Sequence, residues 1–416
     1  MSSSAGRRFS LSRRMPVLRY DNFRLLFFAT LGSGLGTWMA TIALTTDINN
    51  RTGSPWWVSV LFIVTFLPSV VIGLTAGPLV DRLSRKRLIV VADVVRFGVF
   101  ALLAFANSPL QIVVLAAVAG TANAFFRPAV LAGVPNLVEE AELASATSLL
   151  QATDWVATSV GPVLGGAIVN VAGPDLVYWI NAGTFLFSAA LLLRIPARFL
   201  QSEQGISRGH WRDLADGLDV FRHSRVLVIV LVAFGLTMLE TGLVNVSEIF
   251  LATRALGSSA FGFGLLWTAS GIGLVVGSLL TGPLLDRREV LRVYPFAFVP
   301  WAAGIVGAAI APNVWVAALA MALAGFGNGI TFTMTVLIIQ RNTTDRLRGR
   351  AFTLIISAHN VLLGIAMIAA GALTNAVGAR WTFAIGGVLT ASGGLTAYVL
   401  ARGIRSQRAV IREQAA

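Results

Sequence analysis

Six ionisable side chains interrupt apolar runs in this 416-residue chain: Asp93, Arg96, Arg127, Asp154, Glu240 and His359. A charge inside an apolar span is costly, so such residues belong to a pair, or to a proton or ion path. Arg127 and Asp154 have opposite charge and similar depth, each about eight residues, or ~12 Å, from the same end of its run. In antiparallel neighbours they come within reach, and Asp154 is then either a permanently satisfied partner or a carboxylate that carries protons. A shift of 205 residues maps Asp154 onto His359, with Asn360 beside it. An imidazole and a carboxylate at related positions can both titrate as their surroundings change; the plainer reading of His359 is a packed, hydrogen-bonded ring. Glu240 carries the same two readings. Asp93 and Arg96, three apart, read as a structural pair snorkelling toward an interface.

Other chemistry is not encoded. The chain has no cysteine, its three histidines lack metal-ligand spacing, and no G-x-x-x-x-G-K-[ST] loop is present to drive work with ATP. An enzyme, a cofactor and a metal are not expected.

The elements that position these residues are apolar spans. Of the chain 56% is hydrophobic and only 12% charged, with mean hydropathy +0.77, far from a soluble domain. Runs able to cross ~30 Å of hydrocarbon fall near 24–46, 56–78, 88–106, 110–134, 146–170 and 175–195. A second set falls near 226–249, 260–283, 290–311, 314–338, 350–375 and 380–402. The 205-residue shift relates the sets: Gly77 to Arg82 falls on Gly282 to Arg287, Asn123 on Asn328, and Gly166, Asn170 and Gly173 on Gly371, Asn375 and Gly378. The expected fold is therefore an all-α membrane protein of twelve transmembrane helices in two pseudo-symmetric six-helix bundles, residues 1–195 and 225–416. Between them, 196–224 reads as a cytoplasmic linker, in which Trp211, Leu214, Leu218 and Phe221 recur at the spacing of a short amphipathic helix or, alternatively, decorate a disordered tether.

Charge sets the orientation. With the N-terminus inside, cytoplasmic segments hold 27 of 32 basic residues and outer loops only Arg51, Arg254 and Arg380. Trp56, Trp57, Trp179, Trp315 and Trp381 open spans at the outer face as an aromatic belt. The net charge of +13 then reflects topology and anionic lipid, not nucleic acid. The basic arm before the first span precedes a run too long for a signal-peptide core, so a retained helix is expected. The expected location is the plasma (cell inner) membrane, with both termini cytoplasmic.

The loop Gly77-Pro-Leu-Val-Asp81-Arg82-Leu-Ser-Arg85-Lys86-Arg87, repeated in part at Gly282-Pro-Leu-Leu-Asp286-Arg287, resembles the loop signature of the major facilitator superfamily, with Ser84 in place of a glycine. Arg24-Leu-Leu-Phe, Pro135-Asn-Leu-Val138, Asn181-Ala-Gly-Thr-Phe185 and Leu347-Arg-Gly-Arg350 are similar to the branch holding siderophore exporters and macrolide-efflux pumps. Two departures stand out: Thr37 follows Gly36 where many members have an aspartate, and Ala116 stands where the family's helix 4 arginine falls. In helix 5, Ala157, Gly161, Pro162, Gly165 and Gly166 resemble the family's antiporter motif, with alanine for its first glycine. Small residues there let helices approach closely, and proline loosens the backbone ladder.

The resemblance implies that Asp81 accepts hydrogen bonds from the free N–H groups at the start of helix 11, closing the cytoplasmic side in one state. It implies that Arg82 and Arg85 meet carboxylates or lipid phosphates, and that Asp286 and Arg287 form a weaker second gate. The function expected is proton-coupled efflux of a small, moderately hydrophobic compound by a monomer in the lipid bilayer. The alternatives are a proton-coupled uptake symporter and, in a different class, a non-transporting receptor or lipid scramblase.

Overall fold

The computed structural model describes residues 16–75, 84–200, 224–285, 290–343 and 345–414. They are helical almost throughout. In chain order the long helices are α1 (Asp21–Thr52), α2 (Pro55–Thr75), α3 (Arg85–Leu103), α4 (Pro109–Gly133), α5 (Leu143–Ala172), α6 (Pro174–Arg194), α7 (Arg225–Phe250), α8 (Ala260–Leu285), α9 (Val290–Ile310) and α10 (Val314–Asn342). The helix Asp345–Gln414 breaks at Gly378, where φ is 82° and ψ is 165°; its arms 345–377 and 379–414 are α11 and α12.

Local chemistry sets these ends. Ser108 caps α4: its hydroxyl accepts from Gln111 N, while Gln111 Oε1 accepts from Ser108 N at 3.2 Å, and Pro109 starts the first turn. Asn313 caps α10 by accepting from the amides of Trp315 and Val316. Gly173 separates α5 from α6 with φ 81°, the left-handed region that favours glycine, and its repeat partner Gly378 does the same between α11 and α12.

Ten stretches among the described residues are long and apolar enough to cross a membrane. One of them, Ala351–Arg402, contains both sides of the Gly378 break, and α3 is not among the ten. The reason lies in its sequence, where Arg85, Lys86, Arg87, Asp93 and Arg96 occupy a helix of only 19 residues.

Packing repeats with the sequence. Helix α1 lies on α5 and α6, α2 on α4, and α3 on α4 and α6. Six helices on, α7 lies on α11 and α12, α8 on α10, and α9 on α10 and α12. Across these groups α5 meets α8 and α2 meets α11.

Candidate functional site

A cavity of about 280 Å³ opens between α1, α4 and α5, with Arg96 of α3 in its wall. One wall is a polar stripe on α1. Thr37 Oγ1 donates to Ser33 O at 2.7 Å, Thr41 to Thr37 O at 3.0 Å and Thr45 to Thr41 O at 2.8 Å. Each hydroxyl hydrogen is spent on the helix, so the oxygens offer lone pairs to a ligand. Thr37, Thr41, Arg96 and Asn123 continue into a deeper space of about 110 Å³ lined mainly by Phe62, Phe100, Phe185 and aliphatic groups. An apolar pocket with a few placed polar groups is the usual form of a small-molecule site.

Arg127 and Asp154 line the same cavity, with Arg127 Nη2 donating to Asp154 Oδ2 at 2.7 Å. Their side chains are 60% and 41% exposed. The two expected partners are thus brought together, and both line the cavity.

Arg96 is 3% exposed and Asp93 0%, which overturns the snorkelling expectation. Partners from three helices make the burial tolerable. The guanidinium donates to Asp93 and to Asn123 Oδ1 at 3.3 Å, and it lies over the rings of Phe126 and Phe185 at 4.2 and 4.3 Å. Asp93 accepts in turn from Ser188 Oγ of α6 at 2.6 Å.

The second half holds a separate set. His359 of α11 is buried, its ring 4.4 Å from that of Phe234, and its Nε2 has no hydrogen-bond partner. The hydrogen-bonded ring envisaged as the plainer alternative is thus not what this nitrogen shows. Asn360 beside it is half-buried. Glu240 of α7 is buried against Gly386 of α12 and accepts from Thr241 Oγ1 at 3.1 Å, with the Trp301 indole facing it. Two turns further, Glu248 is also buried and its Oε1 has no partner. Asp154 and His359 stand apart, each among its own neighbours.

Sequence reasoning missed three features: the α1 hydroxyl stripe, the inward placement of Arg96, and Glu248. The stripe was detectable, because Thr30, Ser33, Thr37, Thr41 and Thr45 recur every three or four residues on one helical face. Glu248 falls at the end of its apolar run, where a carboxylate usually meets water, so spacing alone gave no signal.

Of the loop signature, Gly77, Asp81, Arg82, Asp286 and Arg287 lie outside the described residues, as does the helix expected around Trp211 to Phe221. Arg85 differs from expectation. Its Nη1 donates to Ala132 O at the end of α4 (2.9 Å), and Lys86 Nζ donates to Leu193 O at the end of α6 (2.8 Å). Both cations thus meet helix C-termini, where the dipole favours positive charge. Beside Gly282 there is open space.

The small residues of α5 divide between two partners. Ala157, Gly161 and Gly165 lie against Gly34, Trp38 and Met39 of α1, while Pro162 and Gly166 lie against Gly264 and Ala260 of α8. A Cβ at Gly165 would come within 2.5 Å of Met39 O, so only glycine permits that approach. Contacts between the helix groups gather toward the face opposite the basic loops. There Arg254 donates to Gly53 O, Gly371 lies against Ser59 and Pro55, and Val163 N donates to Thr268 Oγ1 at 3.2 Å. The Trp38 and Trp267 rings meet at 5.3 Å. The two helix groups touch on that face, and the cavity of Arg127 and Asp154 lies on the basic side of these contacts.

Known proteins can be set beside this geometry. A family model described as transmembrane secretion effector matches residues 13–410. The multidrug efflux pump Tap of Mycolicibacterium fortuitum is 26% identical over 393 residues, covering 89% of this chain and 92% of that pump. Macrolide efflux protein A of Streptococcus pyogenes is 22% identical over 385 residues, covering 89% and 95%. Among solved structures, a bacterial homolog of the human lysosomal transporter Spinster, inward-facing and unoccupied, aligns with TM-score 0.72 at 13% identity over 93% of this chain and 97% of that one. The nucleoside transporter NupG aligns with TM-score 0.68 at 14% identity over 93% and 98%. At such identity these two share the fold.

Proposed function

Because the chain belongs to the transmembrane secretion effector family of the major facilitator superfamily, and is therefore a multi-pass membrane transporter of small molecules, we propose that it exports a small, moderately hydrophobic compound in exchange for protons. The observation that carries this reading is the cavity on the basic side. It combines an aromatic floor, acceptor oxygens on α1 and one accessible carboxylate, while on the opposite face the helix groups are in contact. The efflux activity in the names of the multidrug and macrolide relatives supports the direction.

In this reading the chain crosses the membrane twelve times as two six-helix bundles, with α3 and both arms around Gly378 as spans. Its termini are cytoplasmic in the cell inner membrane, and it works as a monomer. The basic side is then cytoplasmic, and the structure is the state that loads substrate from inside. Asp154 exchanges the proton. While ionised it is held by Arg127; once protonated it loses that partner, so proton occupancy changes the charge in the cavity. Helices α5 and α8 rock on their small-residue contact as the outer contacts open, and Asp81 closes the inner side.

Reconstituted protein in proteoliposomes, given a compound panel and an imposed pH gradient, tests this reading. Accumulation of a hydrophobic compound only with the gradient is expected. Movement of every panel compound independent of the gradient would refute the coupling.

A further inference from the structure

On the outer surface of the second half, α9 and α12 enclose a groove of about 570 Å³ that no part of the transport reading uses. Its walls are apolar throughout except for the Tyr398 hydroxyl. The groove has a cause in the sequence. Pro295 and Pro300 interrupt the ladder of α9, and Gly387 and Gly394 let α12 press onto it; a Cβ at Gly394 would come within 2.8 Å of Phe298 Cβ. Where the backbones nearly touch, the flanking side chains Phe296, Val299, Val388 and Leu395 splay outward and are exposed.

One end of the groove carries charge. Phe296 and Tyr398 meet edge to face at 6.1 Å and close it, and the Arg402 guanidinium lies 4.4 Å over the Tyr398 ring. Arg292 stands on α9 at the same end. An apolar slot along the membrane, ending in an aromatic and exposed cations, matches a molecule with a long hydrocarbon chain and an anionic head. Basic residues at the membrane surface draw anionic lipid, and tyrosine suits the level of the headgroups.

We propose that this groove binds one anionic phospholipid, an acyl chain lying between α9 and α12 and the headgroup phosphate meeting Arg402. The full chain, purified in detergent, is incubated with dioleoyl phosphatidylglycerol or dioleoyl phosphatidylcholine, and retained lipid is counted by native mass spectrometry. The wild type should hold one phosphatidylglycerol in preference to phosphatidylcholine. Arg402→Gln, an exposed change, should lose about fivefold of that preference, the effect of one basic contact near a lipid surface. Ala391→Phe, which fills the groove, should lose both lipids. A phosphatidylglycerol with a photoreactive acyl chain should label wild-type peptides from α9 and α12, a readout independent of how well Ala391→Phe folds. Equal retention of the two lipids by the wild type, an unchanged preference in Arg402→Gln, labelling elsewhere, or a dimer that covers the groove would each overturn the proposal.

Discussion

Neutralising Arg127, Asp154 or both should disturb stability little, while neutralising Asp154 should disturb transport strongly. The magnitude follows from exposure. Buried pairs lose about 3–5 kcal/mol when one partner is removed, because a charge is left without water. Here the side chains are 60% and 41% exposed and line the cavity, so with the cavity filled by water Asp154 recovers hydration when Arg127 is gone. The pair then belongs with exposed ion pairs, worth about 0–1 kcal/mol, or at most about 2–4 °C in melting temperature for a bundle of this size. Melting in detergent should show small shifts for Arg127→Gln, Asp154→Asn and the double variant, with coupling below ~1 kcal/mol in the cycle. Transport in proteoliposomes should separate the same variants: those with Asp154→Asn should bind substrate yet fail to accumulate it under a pH gradient. A loss of several kcal/mol in either single variant, recovered in the double, would refute the hydrated-pair reasoning. Full pH-driven accumulation by the double variant would remove the proton role from Asp154 and leave His359, Glu240 or Glu248.

An externally active reporter fused after Ser108 or Pro312 should work and one after Gln204 or Arg412 should fail; activity at Gln204 would break the twelve-span reading. Asp81→Asn should lower transport with expression intact, by weakening a helix-terminus contact worth roughly 0.3–2 kcal/mol. Asp286→Asn should do less, because the second motif degenerates to Asp286-Arg287-Arg288-Glu289, and equal losses would count against that asymmetry. Asp93→Ala should be the most destabilising of these changes, about 3–5 kcal/mol by melting, since it strands Arg96 between two rings. Ser188→Ala, which removes one hydrogen bond to the same carboxylate, should cost about 1.5–3 kcal/mol.

Helix ends were legible in the sequence where a residue enforces them. The spans expected to start near 56, 110, 175 and 314 begin at Pro55, Pro109, Pro174 and Val314, each marked by a proline or an asparagine cap. Gly173 and Gly378 matched in the repeat because the same left-handed turn is needed twice. Side-chain direction was not legible in the same way. Asp93 and Arg96 lie near the basic end of a charged helix, which favours a snorkelling reading; only the approach of Asn123, Phe126, Phe185 and Ser188 from α4 and α6 shows that they face inward. Likewise, depth along α4 and α5 fixed the height of Arg127 and Asp154 but not their hydration, which depends on a cavity bounded by other helices.

Coupling can be measured directly with a pH-sensitive dye inside proteoliposomes that begin with no pH gradient. A substrate gradient imposed across wild-type protein should drive protons against the direction of substrate movement, and Asp154→Asn should abolish the pH change. Substrate movement without a pH change, or with protons moving the same way, would contradict proton-exchange efflux.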